Sequence, residues 1–116
     1  MALAFVTLYA RRLEETAALY RLLGLEFVEE RHGSGPLHLA AMTSGLALEI
    51  YPGEEVDCAG LLLGFEVADL NDVREMLIAA GIRLHTDIAE PNGVRRLIAL
   101  DADGRRVMVT QSAGSA

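Results

Sequence analysis

The sequence predicts an α+β protein of two tandem βαβββ modules, which form a curved mixed sheet around a cleft with the helices on the outer face. Two observations predict this. The hydrophobic pattern passes from strand to helix to three strands, and then runs through the same order again. Superposing LLGLEF on AAGIRL also lays Gly24 on Gly81, an offset of 57 that brings Leu13 onto Leu70 and Tyr20 onto Leu77. The expected organisation is a single domain with module 1 at 1–53, a linker at 54–60 and module 2 at 61–112.

In module 1, Leu3 to Tyr9 (LAFVTLY) reads as a buried strand by its β-propensity and short length. The helix that follows places Leu13, Ala17, Tyr20 and Leu23 on one face and Glu14, Glu15 and Arg21 toward the other, with Gly24 as its left-handed stop. A second strand starts at Leu25, and HGSGP from His32 to Pro36 is a flexible turn. LHLAAMT and LALEIY flank Ser44-Gly45, a two-residue hairpin turn. In that register Met42 faces Ala47, Ala40 faces Glu49 and His38 faces Tyr51, so these six share one sheet face. Leu39, Ala41, Leu46, Leu48 and Ile50 form the other, which suits packing under a helix.

PGEEVDCAG is a polar link without apolar periodicity. In module 2, LLLGFEVAD is a strand ending at Asp69, a helix cap, with Asp72 in the first turn where the helix dipole favours an acid. Val73, Met76, Leu77 and Ala80 form the expected buried face of this helix, and Gly81 ends it. IRLHTDI, VRRLIAL and RRVMVTQ read as three strands, with DADG turning between the last two, and the tail GSA frays.

Composition narrows the function. At 116 residues the chain is long enough to bury a core without disulfides, and Cys58 is its only cysteine, so thiolate zinc clusters are excluded. All ten basic residues are Arg. Without Lys there is neither a lysine Schiff base nor a P-loop. A net charge of −7 argues against nucleic acid and favours neutral or cationic ligands. No apolar run reaches the roughly 20 residues of a membrane span, and MALAFVTLYA lacks the basic leader and cleavage site of a secretory signal. The expected location is the cytoplasm.

RLLGLEF after the first helix, LALEIYPG in the fourth strand, VADLNDVREMLIAAGI and DADGRRVMV together resemble the vicinal oxygen chelate superfamily of glyoxalase I, bleomycin-resistance proteins and extradiol dioxygenases. Ala102 stands where that family's Asp-Pro-Asp-Gly turn has proline. The resemblance covers essentially the whole chain. It implies a cleft that holds a divalent ion in the metal-dependent members through one residue on each module's first strand and one on each last strand. Those positions fall on Phe5, Glu49, Leu62 and Met108. Phenylalanine and leucine donate nothing, and a thioether suits soft Cu(I). No metal is therefore expected there, and no cofactor.

Glu49 is the best catalytic candidate, as a carboxylate inside an apolar strand. Strand parity adds Phe5, Thr7, Tyr9, His38, Met42 and Tyr51 as ligand-binding candidates in module 1. On the first strand of module 2 parity adds Leu62, Gly64 and Glu66, and with DADG as a four-residue loop Arg95, Leu97, Ala99, Arg106, Met108 and Thr110 join them. Arg95 or Arg106 could pair with Glu49 or clamp an anionic group bidentately. His38 beside Tyr51 reads as an acid–base pair, as a pair of ligand hydrogen bonders, or as an inert histidine on the cleft rim; His32 and His85 sit in or near loops without an assigned role. A mostly apolar lining with a few polar groups suits small-molecule binding. The resemblance to the metal-free, acidic bleomycin-resistance proteins implies a homodimer binding an organic, drug-like or cationic molecule, with no nucleic acid or membrane partner. Two alternatives stay open: a lyase, isomerase or dioxygenase-like enzyme using Glu49, with or without a displaced metal site, and an interaction protein with an occluded cleft.

Overall fold

A computed structural model describes residues 1–112, so the expected frayed tail at 114–116 lies outside the described residues. Backbone contacts divide the chain into two compact units, one spanning Met1–Asp57 and one starting at Cys58. The first runs β1 (Phe5–Ala10), α1 (Leu13–Leu22), β2 (Val28–Glu30), β3 (His38–Thr43) and β4 (Leu46–Pro52). The second runs β5 (Leu62–Val67), α2 (Leu70–Ala79), β6 (Leu84–Ala89), β7 (Arg96–Leu100) and β8 (Arg106–Gln111). This is the expected α+β pattern of two βαβββ modules. No helix among the described residues is long and apolar enough to cross a membrane.

Each unit carries one four-stranded mixed sheet, ordered β1-β4-β3-β2 in the first and β5-β8-β7-β6 in the second. The opening strand pairs parallel with the closing one: Phe5 with Ala47 and Thr7 with Glu49, then Leu62 with Arg106 and Gly64 with Met108. A parallel pair needs a crossover, and the helix supplies it. The helix ends repeat as well. Gly24 and Gly81 both have positive φ, and the next residue's N–H reaches back into the last turn, Leu25 to the Tyr20 carbonyl at 3.1 Å and Ile82 to Leu77 at 3.0 Å. These are paired left-handed exits of one design. The starts differ. Asp69 accepts from the Asp72 amide at 3.1 Å and caps α2, whereas Arg12 at the equivalent position makes no side-chain cap.

In the first unit α1 buries Thr16, Ala17, Leu19 and Tyr20. The sheet residues buried with them are Leu8, Ala10, Leu39, Ala41, Leu48 and Ile50, the face expected to lie under a helix. Each fully buried Leu or Ile contributes about 1.5–3 kcal/mol. Ser44 and Gly45, both at positive φ, close the β3–β4 hairpin with Thr43 opposite Leu46, so the two-residue turn and its register are as expected. The strand expected from Leu25 is shorter and begins at Val28.

The second unit departs from expectation in one register. Leu100 pairs with Arg106, so the loop holds five residues rather than four. Asp101 is the reason. Its Oδ1 accepts from the amides of Asp103 and Arg105, and its Oδ2 accepts from the Arg105 guanidinium, with both side chains buried. Arg105 is thereby drawn into the loop, and β7 slips by one residue against the expected parity. Leu97 and Ala99 consequently lie in the core with Val107 and Val109, not on the exposed face, where Arg96 and Ile98 stand instead. Under α2 the buried residues are Leu70, Val73 and Leu77, whereas Met76 and Ala80 are exposed, because the helix presents a narrower stripe than expected.

Removing one member of a buried ion pair strands the other charge. Asp101→Asn should therefore lower unfolding stability by about 3–5 kcal/mol, measured by denaturant titration. On the surface, Arg74 donates to both carboxylate oxygens of Asp87, at 2.7 and 2.9 Å. That hydrogen bond and the Ile88 amide hold the Asp87 pKa down from 3.8 to about 2. A depressed folded-state pKa contributes stability above the unfolded value that is lost as pH falls through the folded one. Asp87→Asn should accordingly flatten the loss of stability between about pH 4 and pH 2 in acid melts.

Candidate functional site

The face of the first sheet turned away from α1 carries every candidate from that module. Parity along β1 and β4 puts Phe5, Thr7, Tyr9, Ala47, Glu49 and Tyr51 there, and β3 adds His38, Ala40 and Met42. Phe5 and Met42 are exposed, at 59% and 70%. Glu49 is half-buried, and its Oε1 accepts from the Thr7 hydroxyl at 3.0 Å across the parallel pair. The Thr7–Glu49 bond holds one oxygen of the carboxylate by side-chain contact from its own sheet.

A groove of about 640 Å³ opens over this face, lined by Val28, Ala40, Met42 and Ala47 together with the carboxylates of Glu26, Glu30 and Glu49. Its size suits a small organic molecule. The sequence does not bring these three acids together, because it offers no pairing register for β2. The structure pairs Val28 with Ala40 and Glu30 with His38, which brings β2 onto the same face.

His38 is not on a rim. It is 1% exposed, with its ring stacked on Tyr51 at 4.0 Å between centroids and 9° between planes. Tyr51 in turn lies 6.2 Å from the tilted ring of Tyr9. Burial, then the charges of Glu49 and Glu30, raise the Tyr51 pKa above its ordinary value of 10.0, so the phenol keeps its proton.

In the second unit Leu62, Met108 and Arg106 lie on the corresponding face. Leu62 and Arg106 line a hollow of about 550 Å³ with Cys58, Ile98 and Gly104. The Arg96 guanidinium approaches the Met108 sulfur at 3.8 Å. Arg95 is placed elsewhere: it donates to Gln111 Oε1 and to Asn71 Oδ1, while the same Gln111 oxygen accepts from the Leu70 amide. It ties the entry of β7 to the start of α2, a consequence of the register that puts Leu97 and Ala99 in the core.

No protein-family model matches the sequence, and no curated protein is significantly similar to it. Solved structures do match. The oxidase ChaP-H2 superposes with a TM-score of 0.78 at 17% identity, covering 100% of this chain and 98% of that one. A candidate glyoxalase from Bacillus halodurans gives 0.76 at 17%, covering 95% of each chain. TioX from Micromonospora sp. ML1 gives 0.71 at 21%, covering 96% and 98%. The chain has the vicinal oxygen chelate fold. At these identities the likeness concerns the fold alone.

Within each unit the register confirms that Phe5 and Leu62 open equivalent strands, and that Glu49 and Met108 stand two residues beyond the partners of those openings. Of these four residues, to which the sequence resemblance assigns the superfamily's metal ligands, only Glu49 carries a carboxylate; phenylalanine, leucine and methionine side chains are not donors for a hard divalent ion. Titrating the Tyr51 ring resonances in alkali should show the phenol ionising above 10.0. Glu49→Gln should bring it down by removing one of the charges that hold it up. Identical titrations would separate Glu49 from Tyr51.

Proposed function

We propose that this chain binds a small organic molecule with a cationic end in the groove of its first unit, using no metal at the four superfamily positions. The observation that carries this reading is the Thr7-held Glu49 carboxylate, set with Glu26 and Glu30 among apolar walls. A carboxylate with one oxygen already bonded keeps acceptor capacity for a ligand's ammonium or guanidinium group. Met42, Val28 and Ala47 supply apolar surface beside that charge, the composition of a ligand groove, and the Tyr9–Tyr51 pair lies farther along the same sheet face. The names borne by proteins of this fold, an oxidase and a candidate glyoxalase among them, span unlike activities, so the fold does not choose between them.

Catalysis is the second reading. It is favoured by Glu49 standing two residues from Tyr51 on one strand, a base beside a phenol that keeps its proton. A screen of cationic, neutral and anionic organic molecules by thermal shift tests the binding reading. A ligand at 100 times its dissociation constant raises stability by about 2.7 kcal/mol. Cationic members should shift the melt. Glu49→Gln should then weaken their binding by about 1.5–3 kcal/mol, the range of a charged hydrogen bond. Unchanged affinity in that variant removes Glu49 from the site, and turnover of a bound ligand decides for the enzyme.

A further inference from the structure

The corner where β2 hands over to β3 gathers two of the chain's three histidines around a carboxylate. Antiparallel pairing sets Glu30 opposite His38, and the HGSGP loop between them carries His32. His38 Nδ1 lies 3.2 Å from the Pro36 carbonyl, which can only accept, so Nδ1 holds the proton in that contact. In the neutral form of the ring, that tautomer leaves a lone pair at Nε2. That atom is buried and has no hydrogen-bond partner. Its charged neighbour is Glu30 Oε2 at 4.0 Å, another acceptor, and His32 Nε2 lies 3.5 Å from the same oxygen.

An unpartnered buried nitrogen is destabilising relative to a bonded one. Here it is fixed in place, with Tyr51 stacked on its ring and the His32 ring 5.1 Å away. Lone pairs converging on one point call for a positive charge between them. The donor atoms of Glu30, His32 and His38 all lie within 4.8 Å of one another. A tetrahedral ion with bonds of about 2.0–2.2 Å would hold its ligand atoms roughly 3.3–3.6 Å apart. Closing the remaining gaps falls to the Glu30 side chain, half-buried at the end of β2, and to His32, which is exposed in a loop with Gly33 beside it.

We propose that Glu30, His32 and His38 bind one divalent transition-metal ion of the zinc or nickel type through two imidazole nitrogens and a carboxylate oxygen. Three protein ligands leave a position open. Because Glu30 and His32 also line the groove, that position faces ligand space. The site is separate from the four superfamily positions and does not use Glu49.

The test is calorimetric titration of chelator-stripped, full-length protein with Zn²⁺, repeated with Co²⁺ read by its visible absorption. Wild type, Glu49→Gln and His85→Ala should each bind one ion, with the intense d–d bands of a low-coordinate cobalt site. Glu30→Gln and His32→Ala should weaken binding by more than the roughly 10–100-fold typical of losing an outer-shell partner. Both substitutions lie outside the core, and thermal melts of the metal-free variants confirm that they fold. Absence of stoichiometric binding by wild type overturns the proposal, as does equal affinity in Glu30→Gln and His32→Ala.

Discussion

The parallel pairing of the first and last strand of each unit is the constraint on which the rest depends. Because β1 lies beside β4, and β5 beside β8, the chain must cross over between them, and the crossover helix covers one sheet face. The covered face becomes core. The other is left with whatever side chains the alternation supplies, and in the first unit these include one carboxylate with a hydroxyl directly across from it. Thr7 meets Glu49 because parallel neighbours at matched positions share a face, although they are 42 residues apart in sequence.

The two units show how far one residue of register reaches. In the first, Ser44 and Gly45 both take positive φ and allow a two-residue turn, and every side chain of β3 and β4 falls on the expected face. In the second, an ion pair decides instead. Asp101 collects the Asp103 and Arg105 amides and the Arg105 guanidinium, which adds a residue to the loop and moves Leu97 and Ala99 into the core. Alternation has period two, so a single added residue exchanges the faces completely. Arg95 follows its strand to the helix side and becomes a structural tie between β7 and α2.

Polar groups sort by the same logic. Where the sequence offers donors to match its acceptors, as at Asp69 and Asp101, they close on one another and build turns and caps. Where acceptors outnumber donors, as along the groove wall of Glu26, Glu30 and the Thr7-bonded Glu49 and at His38 Nε2, the surface is poised for something positive. An organic cation at Glu49 and a metal ion at Glu30, His32 and His38 are separate answers to that imbalance.

The sequence by itself determined the element order, the 57-residue repeat, the left-handed helix exits at Gly24 and Gly81, the Asp69 cap and the face shared by Glu49, Tyr51 and Met42. All of these follow from local periodicity, turn chemistry and one hairpin register. Only the tertiary structure decided three others: the five-residue loop at Asp101, the placement of β2, and the burial of His38 under Tyr51. The histidine and glutamate of that corner are visible as residue types at 30, 32 and 38, but a short strand after a flexible turn carries no periodicity from which to read its partner. Pairing with β3 is set by packing across the whole sheet, and that packing turned a loop histidine, a strand end and a presumed rim residue into one cluster.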